Sequence, residues 1–126
     1  MTGSIDLAGH LYITLTLIFT VYGQLVLKWQ ISQAGPLPGP AAEKVAFLLQ
    51  QLLNPWILTG FVSAFLASLA WMAAMTRFEL SYAYPFMSLA FVLVMGFSAV
   101  FFREPLLGTR VAGTALVILG LVLLTR

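Results

Sequence analysis

The sequence predicts an all-α membrane protein with four transmembrane helices and a short amphipathic helix between the first and the second. Hydrophobic residues make up 61% of the 126 residues and charged residues only 8%, whereas soluble domains carry about 25% charged residues. A small soluble domain leaves much of its surface in water, and four acidic and six basic side chains cannot cover that surface. The solvent is therefore lipid, and the length predicts one domain over residues 1–126.

Composition also limits the chemistry. The chain has no cysteine and one histidine, His10, so disulfides and metal clusters are not expected, and no cofactor is predicted. We expect His10 to be a solvated residue near the interface. A net charge of +2 is too small and too scattered for nucleic acid. No catalytic set is evident, and an enzyme is not expected, because the four carboxylates fall at ends or in connections: Asp6, Glu43, Glu79 and Glu104.

The first span is predicted over residues 7–31. It is long, and the segment before it contains Asp6 but no Lys or Arg. Signal peptides instead have a basic start and a shorter apolar run, so we interpret the segment as a retained helix. About 20 apolar residues cross the hydrocarbon core, which puts Lys28 at or just inside one interface.

A loop and a short helix are predicted to follow. Residues 35–40 are all glycine or proline except Leu37, which excludes a helix there. Over residues 41–53, apolar residues recur at helical spacing and polar residues lie between them. This pattern predicts an amphipathic helix on the membrane surface, although it could also extend the second span.

The second span is predicted over residues 55–76, because Asn54 and Pro55 form a typical helix start. Gly60, Ala64 and Ser68 recur every four residues, and such a stripe of small residues lets another helix approach closely.

The third span is predicted over residues 81–102, with Pro85 tolerated in its first turns, and the fourth over residues 106–124. Gly113 and Gly120 are seven residues apart, so they share one face of the fourth helix. That face is a candidate helix–helix interface.

The basic residues suggest an orientation. Four of them flank the first and third loops: Lys28, Lys44, Arg103 and Arg110. The other two, Arg77 and Arg126, lie on the opposite side. The positive-inside rule then predicts that the first and third loops are cytoplasmic and both termini are outside.

The most informative polar residues lie near one membrane face. Lys28 and Gln24 share a helix face, and Arg103 and Glu104 end the third span on the same side of the membrane. A cation near hydrocarbon needs a partner or an anionic ligand. One interpretation is that Lys28, with Gln24 and Arg103, binds a phosphate and balances Glu104; the other is that Lys28 reaches the lipid headgroups by snorkelling.

At the opposite face, Tyr84 is either an interfacial anchor or a substrate-facing residue. The hydroxyls of Ser63, Ser88 and other span residues are expected to bond within their own helices.

Several short motifs indicate a family. They are Ala83-Tyr84-Pro85-Phe86-Met87-Ser88-Leu89, Phe91-Val92, Arg103-Glu104-Pro105, Gly113 with Gly120, and Gly23-Gln24-Leu25 followed by Lys28. With four spans in so short a chain, the sequence resembles the small multidrug resistance proteins of the drug/metabolite transporter superfamily. Within it, the motifs are most similar to the flippase subunits for undecaprenyl-phosphate aminoarabinose, which modify lipid A.

One departure separates the branches of that family. Drug-exporting members carry a glutamate in the middle of the first helix, whereas no Asp or Glu lies between Asp6 and Glu43 here. A carboxylate binds an organic cation and exchanges protons for it, while a lysine suits an anion.

The resemblance thus implies a flippase that moves an undecaprenyl-phosphate-linked sugar across the bacterial inner membrane. It implies a homodimer, or a heterodimer with a paralogous subunit, that joins through Gly113 and Gly120. The implied substrate-binding residues are Lys28, Gln24, Arg103, Glu104, Tyr84 and Ser88. The alternatives are an exporter of cations or metabolites that couples protons through Glu104, and a non-transporting partner subunit.

Overall fold

The computed structural model describes residues 6–126, and this part of the chain is helical without strands. Six α-helices follow one another, and a 3₁₀ turn at Tyr84–Met87 separates the fourth from the fifth. They are α1 (Leu7–Ala34), α2 (Ala41–Gln51), α3 (Pro55–Met75), α4 (Leu80–Ala83), α5 (Ser88–Phe101) and α6 (Gly108–Leu124). The all-α prediction is confirmed.

Three helical stretches are long and apolar enough to cross a membrane: Leu7–Ala34, Pro55–Met75 and Leu80–Phe101. Helix α6 is also apolar, but its 17 residues make it shorter than these three. Helix α1 extends three residues beyond the predicted first span, 7–31. Helix α6, which corresponds to the predicted fourth span, begins two residues after the predicted 106.

The third span differs from the continuous helix expected over residues 81–102. Proline has no N–H to donate and its ring clashes with the preceding turn, and around Pro85 the chain tightens into the 3₁₀ turn Tyr84–Met87. The span is therefore built from two helices, α4 and α5, joined by this turn.

Helices α1 and α3 form the closest pair in the structure. A Cβ added to Gly23 would lie 3.2 Å from the carbonyl oxygen of Gly60, and one added to Gly60 would lie 2.8 Å from Cγ1 of Val26. Only glycines allow the two backbones to approach this closely. The close contact involves Gly60 alone among the predicted small-residue stripe, since Ala64 and Ser68 are exposed.

A hydrogen bond between these two helices corrects one expectation. The hydroxyl of Ser63, only 5% exposed, donates to the carbonyl oxygen of Phe19 in α1 at 2.6 Å. The expected bond within its own helix is therefore wrong. The bond fixes α3 against α1 near the middle of both helices.

A small core lies between α1, the end of α3 and the third span. It consists of Ile13, Leu17, Ala74 and Ala83, with Trp71 and Phe86 among the partly buried residues around it. Many large apolar side chains lie outside this core and are exposed, as expected for helices whose outer faces contact lipid.

Helices α2 and α6 are the least packed. Helix α2 has no buried residue. Helix α6 contacts α5 through Thr114, whose hydroxyl lies 3.3 Å from the sulfur of Met95. No described atom lies within 4 Å of a Cβ added at Gly113 or Gly120, so this face of α6 is open.

Candidate functional site

The centre of the candidate site is a lysine–glutamate pair at one end of the helices. Lys28 lies in the last two turns of α1 and Glu104 lies in the connection between α5 and α6. Their side chains meet, with Nζ of Lys28 3.8 Å from Oε1 of Glu104. Both side chains are partly open, at 55% and 40% exposure, so a ligand from outside could reach either charge.

Arg103 lies on the same side of the structure, two residues after the end of α5, and has an unusual backbone conformation. Its φ is +54°, the only positive φ of a described non-glycine residue. This left-handed conformation turns the chain so that the N–H of Glu104 donates to the carbonyl oxygen of Ser98 at 3.4 Å. The backbone of Arg103 therefore sets the direction from which Glu104 approaches Lys28.

A polar bond joins the end of α1 to the start of α3, and the sequence analysis did not predict it. The Nδ2 group of Asn54 donates to Oε1 of Gln30 at 2.8 Å, and Gln30 is only 8% exposed. The side-chain oxygen of Asn54 accepts from the N–H of Trp56 at 2.9 Å. One asparagine thus caps α3 and joins it to α1.

Trp56 also contacts α1 directly. Its ring packs edge-on against the ring of Trp29, with 5.3 Å between the ring centroids. The two tryptophans border an apolar cavity of about 410 Å³, which we call the aromatic groove. Its walls are Tyr22, Leu25, Val26, Trp29, Trp56, Phe101 and Phe102.

Gln24 and Tyr84 line a different space, which we call the central cavity. It has a volume of about 600 Å³ and lies against α1, α3 and the 3₁₀ turn. Thr20 and Ser68 also line it, and Trp71 borders it with its ring centroid 6.1 Å from that of Tyr84. Gln24 and Tyr84, predicted at opposite ends, therefore share one cavity, whereas Lys28 and Glu104 do not line it.

Ser88, another predicted site residue, already uses its hydroxyl hydrogen. It donates to the carbonyl oxygen of Pro85 at 2.7 Å, as expected for a serine bonded within its own helix. Only its lone pairs remain for a ligand.

Glu104 also borders a third cavity. This space of about 470 Å³ lies between α5 and α6, and Arg110, Gly113 and Thr114 are among the residues that line it. The predicted interface glycine Gly113 thus lines the same cavity as the carboxylate that pairs with Lys28.

A second polar cluster occupies the opposite end and was also missed. His10 packs against three aromatic rings, those of Phe78, Tyr82 and Phe86, with centroid separations of 5.0–6.2 Å. We call these four residues the N-terminal cluster. Nδ1 of His10 donates to the backbone carbonyl of Asp6 at 2.7 Å, and Nε2 lies 3.1 Å from the hydroxyl of Tyr82.

The expectation that His10 is simply solvated is therefore wrong, because its ring is half-buried and bonded on both nitrogens. An ion pair strengthens the same end, since Nη1 of Arg77 lies 3.2 Å from Oδ1 of Asp6. These contacts fasten the start of α1 to the connection after α3.

Among residues 6–126, no group of three or more His, Cys, Asp or Glu side chains is placed to hold a metal ion. The charged groups at the Lys28 end include the ammonium of Lys28, the guanidinium groups of Arg103 and Arg110, and the carboxylate of Glu104. A charged ligand can replace one member of the Lys28–Glu104 pair as the partner of the other.

Comparison with known proteins identifies relatives over most of the chain. The model of the EamA-like transporter family matches residues 13–126. A Pseudomonas fluorescens protein named "Probable 4-amino-4-deoxy-L-arabinose-phosphoundecaprenol flippase subunit ArnE" is 33% identical over 107 residues, covering 85% of this chain and 88% of that protein. An Aeromonas hydrophila protein with the corresponding ArnF name is 31% identical over 119 residues, covering 93% and 79%. No solved structure matches the chain.

Proposed function

The chain belongs to the EamA-like transporter family, and from this premise we propose that it moves an undecaprenyl-phosphate-linked sugar across the bacterial inner membrane. Its relatives carry the names of flippase subunits, and its apolar helices make it a multi-pass membrane protein. The sugar of the proposed substrate is of the aminoarabinose kind that those names specify.

The observation that carries the proposal is the exposed pair of Lys28 and Glu104 at 3.8 Å. An exposed ion pair stabilises a protein by only about 0–1 kcal/mol, so separating Lys28 from Glu104 costs little. An arriving phosphate can therefore compete with Glu104 for Lys28. The span that carries Lys28 has no carboxylate between Asp6 and Glu43, which favours an anionic substrate over a cationic one.

The other candidate residues extend this site in two directions. Arg103 adds a second cation beside Lys28. Gln24 and Tyr84 line the central cavity, where amide and hydroxyl groups suit the hydroxyls of a sugar, and Ser88 follows Met87 of the same cavity wall. In this arrangement the phosphate stays near Lys28 and the sugar enters the central cavity.

The proposal includes the membrane arrangement. Helix α6 is the fourth span, and α2 lies on the membrane surface with Val45, Leu48 and Leu49 toward lipid, since all three are more than half exposed. The first and third loops are cytoplasmic. A second subunit, identical or paralogous, covers the open face of α6 at Gly113 and Gly120.

The test is the translocation of a lipid-linked aminosugar in proteoliposomes. We expect Lys28→Ala to reduce the rate by more than about tenfold, because a charge-assisted bond of about 1.5–3 kcal/mol is lost. Lys44→Ala is the matched control, since it removes a cation from α2 without touching the site. Unchanged translocation by Lys28→Ala, in protein that still folds and inserts, would show that the anion site is wrong.

A cation exporter is the second candidate, and Glu104 is the observation that favours it. This carboxylate lies near a span, pairs with Lys28 and borders the cavity between α5 and α6. Proton-coupled export would require it, so Glu104→Gln should abolish resistance to toxic organic cations. If the wild-type chain gives no resistance, or if the variant keeps it, this candidate is excluded.

A further inference from the structure

We infer that the aromatic groove holds the first isoprene units of the polyprenyl chain, while Lys28 holds the phosphate. The inference rests on the proposed function and names a part of the site that recognises the lipid tail. It assigns a role to residues outside the predicted set, above all Trp29, Trp56 and Phe102.

The position of the groove is the first argument. Trp29 follows Lys28 directly in α1, and Phe102 directly precedes Arg103 after α5. Because neighbouring residues of a helix differ by only about 1.5 Å along its axis, the groove lies at the same depth in the membrane as Lys28. A lipid whose phosphate contacts Lys28 therefore has its first carbons at the depth of this groove.

The rigidity of the walls is the second argument. The buried bond between Gln30 and Asn54 at 2.8 Å fixes α1 to the start of α3, and Asn54 also holds the N–H of Trp56. The hydroxyl of Tyr22, at the far end of the groove, lies 2.9 Å from that of Thr59. Hydrogen bonds within the protein thus hold together α1 and α3, the helices that carry Tyr22, Trp29 and Trp56.

The chemistry of the lining is the third argument. Five of its seven residues are aromatic and the other two are aliphatic, and the one hydroxyl, on Tyr22, already has a partner. From Trp29 to Tyr22 the groove follows α1 for about 10 Å. An isoprenoid chain has a rigid double bond and a methyl branch in every unit, so it loses less freedom against fixed walls than a saturated chain does.

A neighbouring surface shows what ordinary lipid contact looks like in this chain. On the other side of Tyr22, a shallow cavity between α1 and α3 has two aromatic residues among its eight, and four of the others are aliphatic, including Ile18, Leu58 and Leu66. Leu58 therefore offers a control position, equally apolar and equally open to lipid.

The test measures binding of defined probes to the full chain in nanodiscs by native mass spectrometry. Farnesyl phosphate and pentadecyl phosphate have the same number of carbons and the same headgroup, and farnesol lacks the phosphate. We expect farnesyl phosphate to bind about tenfold more tightly than pentadecyl phosphate, which corresponds to one or two aromatic contacts.

Variants locate the preference. Trp56→Ala and Phe102→Ala should remove it, Trp56→Phe should retain it, and Leu58→Ala should leave it unchanged. Equal binding of the two phosphates by the wild-type chain would overturn the inference, as would a preference that survives both alanine variants.

The same measurements test the anion site at Lys28 and the prenyl groove separately. Lys28→Ala should weaken both phosphates equally and leave farnesol unaffected. If it does so while the two phosphates bind equally, the anion site stands and the prenyl groove is refuted. If the prenyl preference persists but Lys28→Ala changes nothing, the groove stands and the anion site is refuted.

Discussion

Arg103 offers a sharp test, because its backbone and its charge make opposite predictions. Its φ of +54° lies in the left-handed region, which costs a residue with a Cβ about 1–2 kcal/mol. Glycine avoids that cost but loses about 0.5–1 kcal/mol more conformational entropy on folding. Arg103→Gly should therefore stabilise the fold by about 0.5–1 kcal/mol, roughly a two- to fivefold change in the folding equilibrium.

Activity should change in the opposite direction if the guanidinium contributes to the anion site. We expect the rate of lipid translocation to follow the order arginine, then lysine, then glycine and alanine together. Arg103→Ala retains the backbone strain and lacks the charge, so it matches glycine in activity but not in stability. Arg103→Lys retains strain and charge but not the planar two-pronged geometry that suits phosphate.

Two measurements decide the matter. Reversible unfolding in mixed micelles of increasing SDS content gives the stability of the four proteins, and proteoliposomes give their translocation rates. A glycine variant less stable than the wild type would refute the backbone argument. A glycine variant that is as active as arginine would show that position 103 serves only to turn the chain toward Glu104.

Three further substitutions test the packing. Ser63→Ala removes the bond to α1 and should lower stability in micelles by about 0.6–1.7 kcal/mol; Ser68→Ala, which loses only a bond within α3, should change little. Gly113→Ala should weaken subunit association measured by cross-linking, and Gly96→Ala, equally open within the chain, should not; equal effects would refute the α6 interface. Gly9→Ala places a methyl about 2.6 Å from an atom of the N-terminal cluster and should destabilise by about 1–3 kcal/mol in the same unfolding assay; full stability would mean that this cluster adjusts freely.

The sequence predicted those features that depend on local patterns. The start of α3 is an example, because Asn54 and Pro55 fix a helix start through a cap that involves only neighbouring residues. The placement of Lys28 and Glu104 at one end is another. The chain reverses at every loop, so the end of the first span and the end of the third must lie on the same side.

Features that depend on which helix faces meet could not be predicted. Gln30 and Asn54 are 24 residues apart and bond only because α1 and α3 cross at Gly23 and Gly60. The hydroxyl of Ser63 reaches α1 for the same reason. Helical periodicity shows which residues share a face of one helix, but not which neighbour that face contacts.

His10 shows the same limit at the other end. Its surroundings come from three separate segments, and Phe78 and Tyr82 lie about 70 residues further along the chain. One available indication was the group of aromatic residues at positions 78, 82 and 86, which are spaced four apart and would share a face of a helix.

In the proposed arrangement, in which α6 is the fourth span, the shortness of α6 has a consequence for the surrounding bilayer. Its 17 residues extend about 26 Å, whereas the hydrocarbon core is about 30 Å thick. When a helix is too short for its membrane, the lipid beside it compresses or its end residues reach outward. Arg110 lies in the first turn of α6 and Arg126 just beyond its end, so both ends favour a thinner membrane. A headgroup that crosses beside α6 would then travel through less hydrocarbon than anywhere else around the protein.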